Sequence, residues 1–516
     1  MLYTQSFHEH TPKVSFQPTI RLDKKLDYTI PTSRSPFIPS RIVLRIRKKF
    51  LLFLAKVATS FFKQNLYCTE HNAILYQLSP ETRSLLSWLI EKKVIESWRF
   101  IGIVPGYGKI KVIALRVAAM HDPEGQQFRL TGANGVGVGV TYQEAVLPAL
   151  GELIERIASA AYWWEDTTHF RALYRSGGKM LDPNLFCFLT KDQVKEINDK
   201  RYIKSYNLKK QLITWKPVQD LVSGKKFYTP ASFCYMSARI GMTDNPYTVE
   251  VSSNGVAAHT NYKEACTRAL LEYIERDHFL KSWYHKKAGR NVCLNSLQKD
   301  FPVAKNILES DKTDVQTHLI DITDDLGVPV MVGLRVNQLK ESRAIQVTAS
   351  AGLSYKEAIE KCLNELLRFN NISYYESDKE VPKSFQEMKD RSFNISSRGE
   401  LWSYNEMIQY IDWYCRGKKI SYQALSNRES DMDSDLSYSE RYALLQKICK
   451  NNNIRVYAAD LTNSIARYAG LKVVRVLTPD LIPMFFTEQL MPLTNSRLLP
   501  KHMKPKDLYQ VPHPFL

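Results

Sequence analysis

Glutamates recur at fixed spacing in three segments of the chain that align without gaps. In two of these segments a pair of glutamates stands three residues apart and is followed at once by an arginine; the third segment supplies one equivalent glutamate. Residues three apart share one face of a helix, so each pair would present two carboxylates side by side. The acids are Glu152, Glu155, Glu272, Glu275 and Glu365, and the arginines are Arg156 and Arg276.

Each glutamate–arginine pair could also be an ordinary i,i+4 contact on an exposed helix, worth roughly 0.2–0.5 kcal/mol. The residues between them are apolar around most of the helix circumference, which is typical of a buried helix. Carboxylates on buried helices repel one another unless cations neutralise them. Clustered carboxylate oxygens suit Mg²⁺ and interleaved arginines suit phosphate, so the pattern predicts a metal–nucleotide site.

The elements that would position these acids are three helices with similar beginnings. A polar N-cap residue followed three positions later by glutamate is the pattern of a capping box. Small or polar residues precede each helix, and among them Asn254 supplies an amide for ligand recognition. The glycines of 135–139 are spaced wrongly for a dinucleotide-binding loop and also suit a tight strand-to-helix turn. The three boxes are Thr141 to Glu144, Asn261 to Glu264 and Ser354 to Glu357.

Composition indicates a folded protein. The chain has 516 residues, of which 44% are hydrophobic and 24% charged, enough to bury a sizeable core. Its net charge of +18 favours anionic partners without separating phosphates, acidic peptides, nucleic acid and membrane surfaces. Eight cysteines without a CxxC pair argue against a zinc site and a disulfide framework.

The first 70 residues are strongly basic, with twelve Lys or Arg against four acids. Within them the run 41–56 predicts either a basic amphipathic helix at a membrane or acidic partner, or a packed helix with a solvated basic edge. Its apolar core is too short to cross a membrane, and the N-terminus has no apolar signal region. We therefore expect a cytoplasmic protein. Residues 78–92 read as an amphipathic helix begun by Ser79 and Pro80.

Three stretches resemble the motifs of YcaO-domain proteins. Residues 253–277 closely resemble the family's central motif, residues 149–156 its first motif and residues 363–365 its third. Residues 477–486 resemble a late strand of the family. The resemblance extends from about residue 97 to the end, which predicts a YcaO-like catalytic domain over 97–516 and a basic accessory or docking region over 1–96.

The resemblance implies an α+β fold of mixed sheets and helices, with an ATP site lined by three glutamate-bearing helices. It also implies an ATP- and Mg²⁺-dependent enzyme. In the azoline-forming branch, a Cys, Ser or Thr side chain of a ribosomally made precursor attacks the preceding carbonyl, the resulting oxygen takes the γ-phosphoryl group, and phosphate leaves as the ring forms. The implied metal ligands are Glu152, Glu155, Glu272, Glu275 and Glu365, and the implied nucleotide contacts are Asn254, Arg156 and Arg276.

The C-terminus favours the azoline-forming branch. Residues 511–516 resemble the proline-rich tail of those enzymes, and a stiff tail could deliver His513 or the carboxylate of Leu516 into the active site. The tail could equally be frayed. Two departures stand out: Leu516 replaces the family's final proline, and Arg368 replaces a glutamine of its third motif.

The resemblance also implies partners. They are a precursor peptide and a separate protein that captures its leader; nucleic acid and membrane are not expected, and a homodimer is left open. Two competing interpretations remain, namely a thioamide-forming YcaO-like enzyme and a non-catalytic scaffold. Outside the motifs, strands are expected at 328–336, 454–458 and 473–477.

Overall fold

The structure, a computed structural model, describes residues 74–103, 111–117, 120–121, 127–128, 135–160, 166–196, 212–236, 252–311, 314–338, 344–369, 395–427 and 436–515. All of them belong to one compact unit, Asn72–Leu516. The basic run 41–56, most of the proposed docking region and Leu516 lie outside the described residues. Within the described part of the chain, no helix is long and apolar enough to cross a membrane.

Helices and strands alternate along the unit, which confirms the predicted mixed fold. The helices are α1 Pro80–Glu91, α2 Tyr142–Ala160, α3 Lys191–Glu196, α4 Tyr262–Tyr284, α5 Pro302–Ser310, α6 Tyr355–Phe369, α7 Ile395–Leu401, α8 Ile408–Cys415, α9 Tyr422–Ser426, α10 Tyr438–Asn451 and α11 Ser464–Tyr468. The strands are β1 Ile95–Ile103, β2 Lys111–Val117, β3 Met120–His121, β4 Gln127–Phe128, β5 Gly135–Gly139, β6 Phe170–Ala172, β7 Ile213–Asp220, β8 Lys226–Pro230, β9 Val256–His259, β10 Arg290–Val292, β11 Val315–Asp321, β12 Val330–Asn337, β13 Ile345–Ala351, β14 Lys419–Ile420, β15 Tyr457–Asp460 and β16 Lys472–Leu477.

Three sheets carry the unit. Their strand orders are β1-β2-β5, β13-β12-β11-β10-β14 and β6-β7-β15-β16-β9, with β8 paired to β7 and a separate hairpin of β3 and β4. Strands β12 and β16 fall where the sequence predicts them, whereas β15 begins at Tyr457, three residues later than predicted. The central strands β12 and β16 are buried along nearly their whole length, as continuous apolar runs predict.

Three strand–helix units bring the glutamates into the molecule. Strands β5, β9 and β13 are each followed, after a short turn, by α2, α4 and α6, and each helix packs back along its own strand. In the first unit the glycines lie within the strand. A Cβ at Gly135 or Gly137 would overlap the carbonyl oxygens of Ala149 and Ala145 on α2, so only glycine fits at these positions. These glycines therefore permit close strand–helix packing rather than a turn.

The predicted helix at residues 78–92 is confirmed as α1. The Ser79 hydroxyl accepts from the amide of Thr82 at 3.2 Å, and Pro80 occupies the first turn. Leu86 and Leu89 are fully buried in the same apolar core as α2. Helix α1 therefore packs as part of the unit that contains the glutamate helices.

All three predicted helix starts are confirmed, but only part of the capping pattern holds. In the first unit, Thr141 and Glu144 exchange reciprocal side-chain-to-backbone hydrogen bonds of 3.1 and 3.2 Å. In the second, Asn261 caps α4, whereas the carboxylate of Glu264 binds Arg268 and Arg441 instead of the Asn261 amide. The prediction of a full capping box there is wrong, because an arginine distant in sequence takes the glutamate.

Arg441 on α10 joins the beginnings of α4 and α6. Its guanidinium contacts Glu264 at 3.0 Å and Glu357 at 2.9 and 3.2 Å, and Lys361 contacts Glu357 at 2.7 Å. Burial opposes ionisation of Glu357, but the charge of Lys361 and the hydrogen bonds from Arg441 outweigh it and lower its pKa to about 2. Arg441 thus fixes two of the three glutamate helices relative to each other.

Replacing Arg441 with Met should destabilise the protein by about 3 kcal/mol, because two carboxylates stay largely buried after losing their shared cation. Glu357 has a folded pKa below its ordinary 4.5, so its contribution is present above pH 4.5 and lost as pH falls towards about 2. Urea denaturation at several pH values measures both effects. The exposed Arg416, which pairs with Asp412, provides the control Arg416→Met, for which we expect a change within about 0.5 kcal/mol. If Arg441→Met and Arg416→Met lost the same amount of stability, Arg441 would not hold α4 and α6 together as described.

Candidate active site

The three strand–helix units place their equivalent glutamates in the same way. The amide of Val136 donates to Glu152 at 3.0 Å, and the amide of Gly255 donates to Glu272 at 3.3 Å. In the third unit the hydroxyl of Thr348 donates to Glu365. Each glutamate is thus anchored either to the strand that precedes its own helix or, for Glu272, to the residue immediately before that strand. The alignment of the three segments therefore corresponds to a structural repeat.

Contacts between units bring these anchored acids together. Glu275 of α4 accepts a hydrogen bond of 3.2 Å from the amide of Ala351, in the strand that precedes α6. Val136 and Val138 of the first unit pack against the apolar core around α6. Glu155 of α2 interacts electrostatically with Glu272 of α4. Acids from α2, α4 and α6 are therefore near enough to influence one another's ionisation, as Glu272 does for Glu155 and Glu365 for Glu275. Their role as metal ligands stays a prediction.

The arginines do not neutralise this cluster. Burial, followed by the charges of Glu272 and Glu152, raises the pKa of Glu155 well above its ordinary value, although Arg156 opposes the shift. Burial and the charges of Glu365 and Glu272 likewise raise the pKa of Glu275 against the effect of Arg276. Burial also raises the pKa of Glu272. When Glu155, Glu272 and Glu275 are all ionised, additional cations are needed to offset their mutual repulsion.

Arg156 and Arg276 lie at the edge of the cluster with long ion pairs. Arg156 is 3.4 Å from Glu152, and Arg276 is 3.7 Å from Glu272 and 3.4 Å from Glu275. The i,i+4 contacts expected for a surface helix are thus present, but here the carboxylates are partly or fully buried. Both guanidinium groups remain partly exposed and can turn towards an anion.

Asn254 lies beside the cluster with its amide unused. The side chain is only 4% exposed, and neither its oxygen nor its nitrogen has a hydrogen-bond partner among the described atoms. The next residue, Gly255, has φ of 76°, and a Cβ there would lie 2.8 Å from the carbonyl oxygen of Val476. A buried amide without partners is costly, so this position suits a residue that binds a polar ligand.

These donors fit Mg²⁺ held together with a phosphate ligand. Within the described ranges, no three carboxylate, imidazole or thiolate side chains form a closed metal-binding group. Mg²⁺ usually takes one or two protein carboxylates and completes its shell with water and substrate phosphates. Buried acids with raised pKa values, two adjacent arginines and an unpaired amide match that requirement better than they match a metal cage.

The C-terminal tail is locked against this site. Trp283 Nε1 donates to the carbonyl oxygen of Val511 at 2.7 Å, and Arg398 Nη1 donates to that of His513 at 2.9 Å. Arg398 is itself paired with Glu488 at 2.7 Å. The ring of Phe515 lies 3.9 Å from the guanidinium carbon of Arg276. The alternative of a frayed tail is therefore wrong for residues 511–515.

His513 is fully buried rather than open to a substrate. Its Nε2 donates to the carbonyl oxygen of Phe485 at 2.8 Å, and aromatic rings surround it. Burial and the charge of Arg398 hold the pKa of His513 well below its ordinary value, so the imidazole is neutral. This environment favours a structural role. Leu516, predicted as the other catalytic residue of the tail, lies outside the described residues, as does the side chain of Arg368.

Two residues of the site were missed in the sequence. Phe515 contacts Arg276 through the tail, and Arg475 on β16 interacts electrostatically with both Glu155 and Glu272. A single arginine inside the apolar strand 472–477 was a visible signal for the second. The sequence offered no comparable signal for Phe515, because its contact depends on where the tail folds.

Comparison with known proteins agrees with this geometry. The sequence matches the YcaO cyclodehydratase family, described as ATP- and Mg²⁺-binding, over residues 136–482, which is more than half of the chain. The chain therefore belongs to the YcaO cyclodehydratase family. A search of curated protein sequences finds no match.

Solved structures share the fold. A heterocyclase in complex with substrate and cofactor superposes with a TM-score of 0.58 at 19% identity, covering 82% of this chain and 55% of that one. The heterocyclase TruD superposes with a TM-score of 0.51 at 19% identity, covering 73% and 52%. This chain thus spans about half the length of the heterocyclases it resembles.

Replacing Glu155 with Gln should stabilise the metal-free protein at neutral pH by about 1 kcal/mol, because it removes a repelled carboxylate. An acid whose folded pKa is raised binds its proton more tightly when folded, so stability falls as pH rises above 4.5. The variant should have a smaller slope, because Glu272 and Glu275 still contribute to it, and Mg²⁺ with a nucleotide should raise its melting temperature less than that of the wild type. Thermal unfolding measures each effect.

The exposed Glu309 on α5 provides the control Glu309→Gln, which should leave both the slope and the Mg²⁺ response unchanged. A Glu155→Gln protein that is less stable than the wild type and responds normally to Mg²⁺ would contradict the electrostatic interpretation.

Proposed function

We propose that this protein is an ATP- and Mg²⁺-dependent cyclodehydratase. It converts Cys, Ser or Thr of a ribosomally made precursor peptide to thiazoline or oxazoline. The observation that carries the proposal is the electrostatic contact among acids of three helices, which the described arginines do not offset. Membership of the YcaO family supports the same reaction class.

In this proposal each group of residues has a distinct task. ATP supplies the phosphoryl group that turns the former amide oxygen into a leaving group. The acids hold Mg²⁺, and their backbone anchors keep the carboxylates in position before ligands bind. Arg156 and Arg276 bind phosphate oxygens, and Asn254 recognises a polar group of the nucleotide. The metal ligands are Glu152, Glu155, Glu272, Glu275 and Glu365.

In this proposal the C-terminal tail supports the active site because residues 511–515 are held in a fixed position. Arg398 and Trp283 hold the backbone of residues 511–513, which sets the place of Phe515 on Arg276. In our proposal the following residue, Leu516, takes part in the reaction. Because the tail is already ordered, placing that residue would require little additional loss of entropy.

The peptide substrate requires recognition beyond the nucleotide site. We propose that a separate protein captures the leader of the precursor, that residues 1–96 serve as an accessory or docking region, and that the complex works in the cytoplasm. The first 70 residues contain twelve basic and four acidic residues, and this positive charge suits an acidic partner.

The decisive test of the reaction combines ATP, Mg²⁺, a Cys/Ser/Thr-rich precursor and the leader-binding partner. We expect phosphate release that depends on the precursor, and product peptides lighter by one water per ring. Glu272→Gln should reduce both about a hundredfold or more, because it removes a central metal ligand. Glu309→Gln should behave as the wild type.

Other outcomes would assign another function. A product that keeps its water count but exchanges oxygen for sulfur would identify a thioamide-forming enzyme. Nucleotide binding without phosphate release, in the presence of both precursor and partner, would identify a scaffold.

The proposed partner makes a separate prediction. The purified chain alone should modify precursor at least about tenfold more slowly than the mixture with partner, because the docking surface for the leader would be missing. Rates measured by mass spectrometry over a range of precursor concentrations test this. Full activity of the chain alone would refute the need for a partner.

A further inference from the structure

Arg475 is a buried cation in the middle of an apolar strand. It lies on β16 among valines, pairs with Val256 of β9 in the sheet and is 7% exposed. Its strand neighbours Val473 and Leu477, which point to the same face, belong to the core around α2. A charge in such a place is costly unless it is paired, so the contacts of this side chain indicate its purpose.

Those contacts leave part of the guanidinium unused. Nη1 donates to the carbonyl oxygen of Ser252 at 2.6 Å. Nε is buried and has no hydrogen-bond partner among the described atoms. Glu155 and Glu272 are near enough to interact electrostatically, but within the described part of the chain neither forms an ion pair with Arg475. The arginine therefore carries positive charge that no carboxylate among the described residues neutralises in an ion pair.

The loop that Arg475 holds is the one that carries Asn254. Arg475 binds the loop at Ser252, and the amide of the next strand residue, Val476, donates to the carbonyl oxygen of Gly255 at 2.7 Å. Strand β16 thus grips the loop on both sides of Asn254, whose amide atoms also lack partners. Two adjacent buried side chains, one cationic and one amide, have unsatisfied polar atoms beside the glutamate cluster.

We propose that Arg475 is a third cation of the nucleotide site and contacts a phosphate oxygen from the side of the sheet. This inference rests on the proposed function. An anion would satisfy the unused Nε donor and would also relieve the burial of an unneutralised charge. Because Arg156 and Arg276 belong to helices, Arg475 would enclose the phosphates from a direction that neither helix covers.

A purely structural role is the competing explanation, in which Arg475 only holds Ser252. The two explanations differ in which part of a nucleotide they affect. A phosphate contact matters for a triphosphate and not for a nucleoside, whereas a displaced loop alters every ligand that Asn254 recognises.

The test is calorimetric titration with Mg²⁺ plus the ATP analogue that has a methylene between its β- and γ-phosphorus atoms, and in parallel with adenosine. Arg475→Gln should weaken binding of the analogue about tenfold or more, which corresponds to ~1.4 kcal/mol, and change adenosine binding less than about twofold. Arg475→Lys keeps the charge and should recover part of the affinity for the analogue. The control is Arg455→Gln, which removes an exposed arginine paired with Asp480 and should change neither affinity.

If Arg475→Gln weakened binding of the analogue and of adenosine equally, or weakened neither, the proposed phosphate contact would be wrong. The proposed cyclodehydratase function would not be affected. A wild-type protein that binds no nucleotide would instead refute the proposed function. Should Arg475→Gln fail to fold, the Lys variant decides the matter, because a folded Lys variant that discriminates against neither ligand also contradicts a phosphate contact. Circular dichroism establishes folding for each variant.

Discussion

Repulsion among partly buried carboxylates is the main electrostatic constraint on the three glutamate helices. Glu155, Glu272 and Glu275 lie where burial and neighbouring acids disfavour their charged forms, so the fold must supply the force that keeps their helices together. Part of it comes from backbone amides that donate to Glu272 and Glu275. These hydrogen bonds orient the acids without neutralising them. Cations bound by these acids, as we propose, would relieve the repulsion, so the lower stability of the metal-free protein and its affinity for metal would have a common origin.

Attraction at the other end of the helices balances this repulsion. Glu264 and Glu357 stand near the beginnings of α4 and α6, away from the cluster, and both bind Arg441. Glycines in β5 let α2 approach its strand to a distance at which any side chain would overlap the helix backbone. Helices α4 and α6 are thus held by contacts at their beginnings, away from Glu272, Glu275 and Glu365. Helix α2 is held by the close approach of β5 next to Glu152 itself.

The features that the sequence predicts correctly depend on the spacing of residues within one segment. The features that it does not predict depend on contacts between distant segments. The three helix starts and the shared positions of their acids follow from offsets within each segment, and such repetition can be recognised without coordinates. The position of β16 beside β9 cannot, because more than 200 residues separate Arg475 from the Ser252 carbonyl that it binds. Glu264 was misassigned for the same reason: its local pattern fits a capping box, but Arg441 lies 177 residues away. Packing between distant segments decides such contacts, and no single local motif encodes it.

The C-terminal tail is a second case in which contacts between distant segments decide which residues face the candidate site. Proline spacing predicted a stiff C-terminus, and residues 511–515 are indeed ordered, but stiffness alone does not reveal which groups face the site. His513 has the residue type expected of a proton-transfer group, yet its neutral, enclosed ring packs against Phe485 and Tyr284. Phe515, a residue without acid–base chemistry, is the one that meets Arg276. The face of an aromatic ring attracts a cation without removing its charge. The tail therefore contacts the glutamate helices through Arg276, whose guanidinium lies over the ring of Phe515.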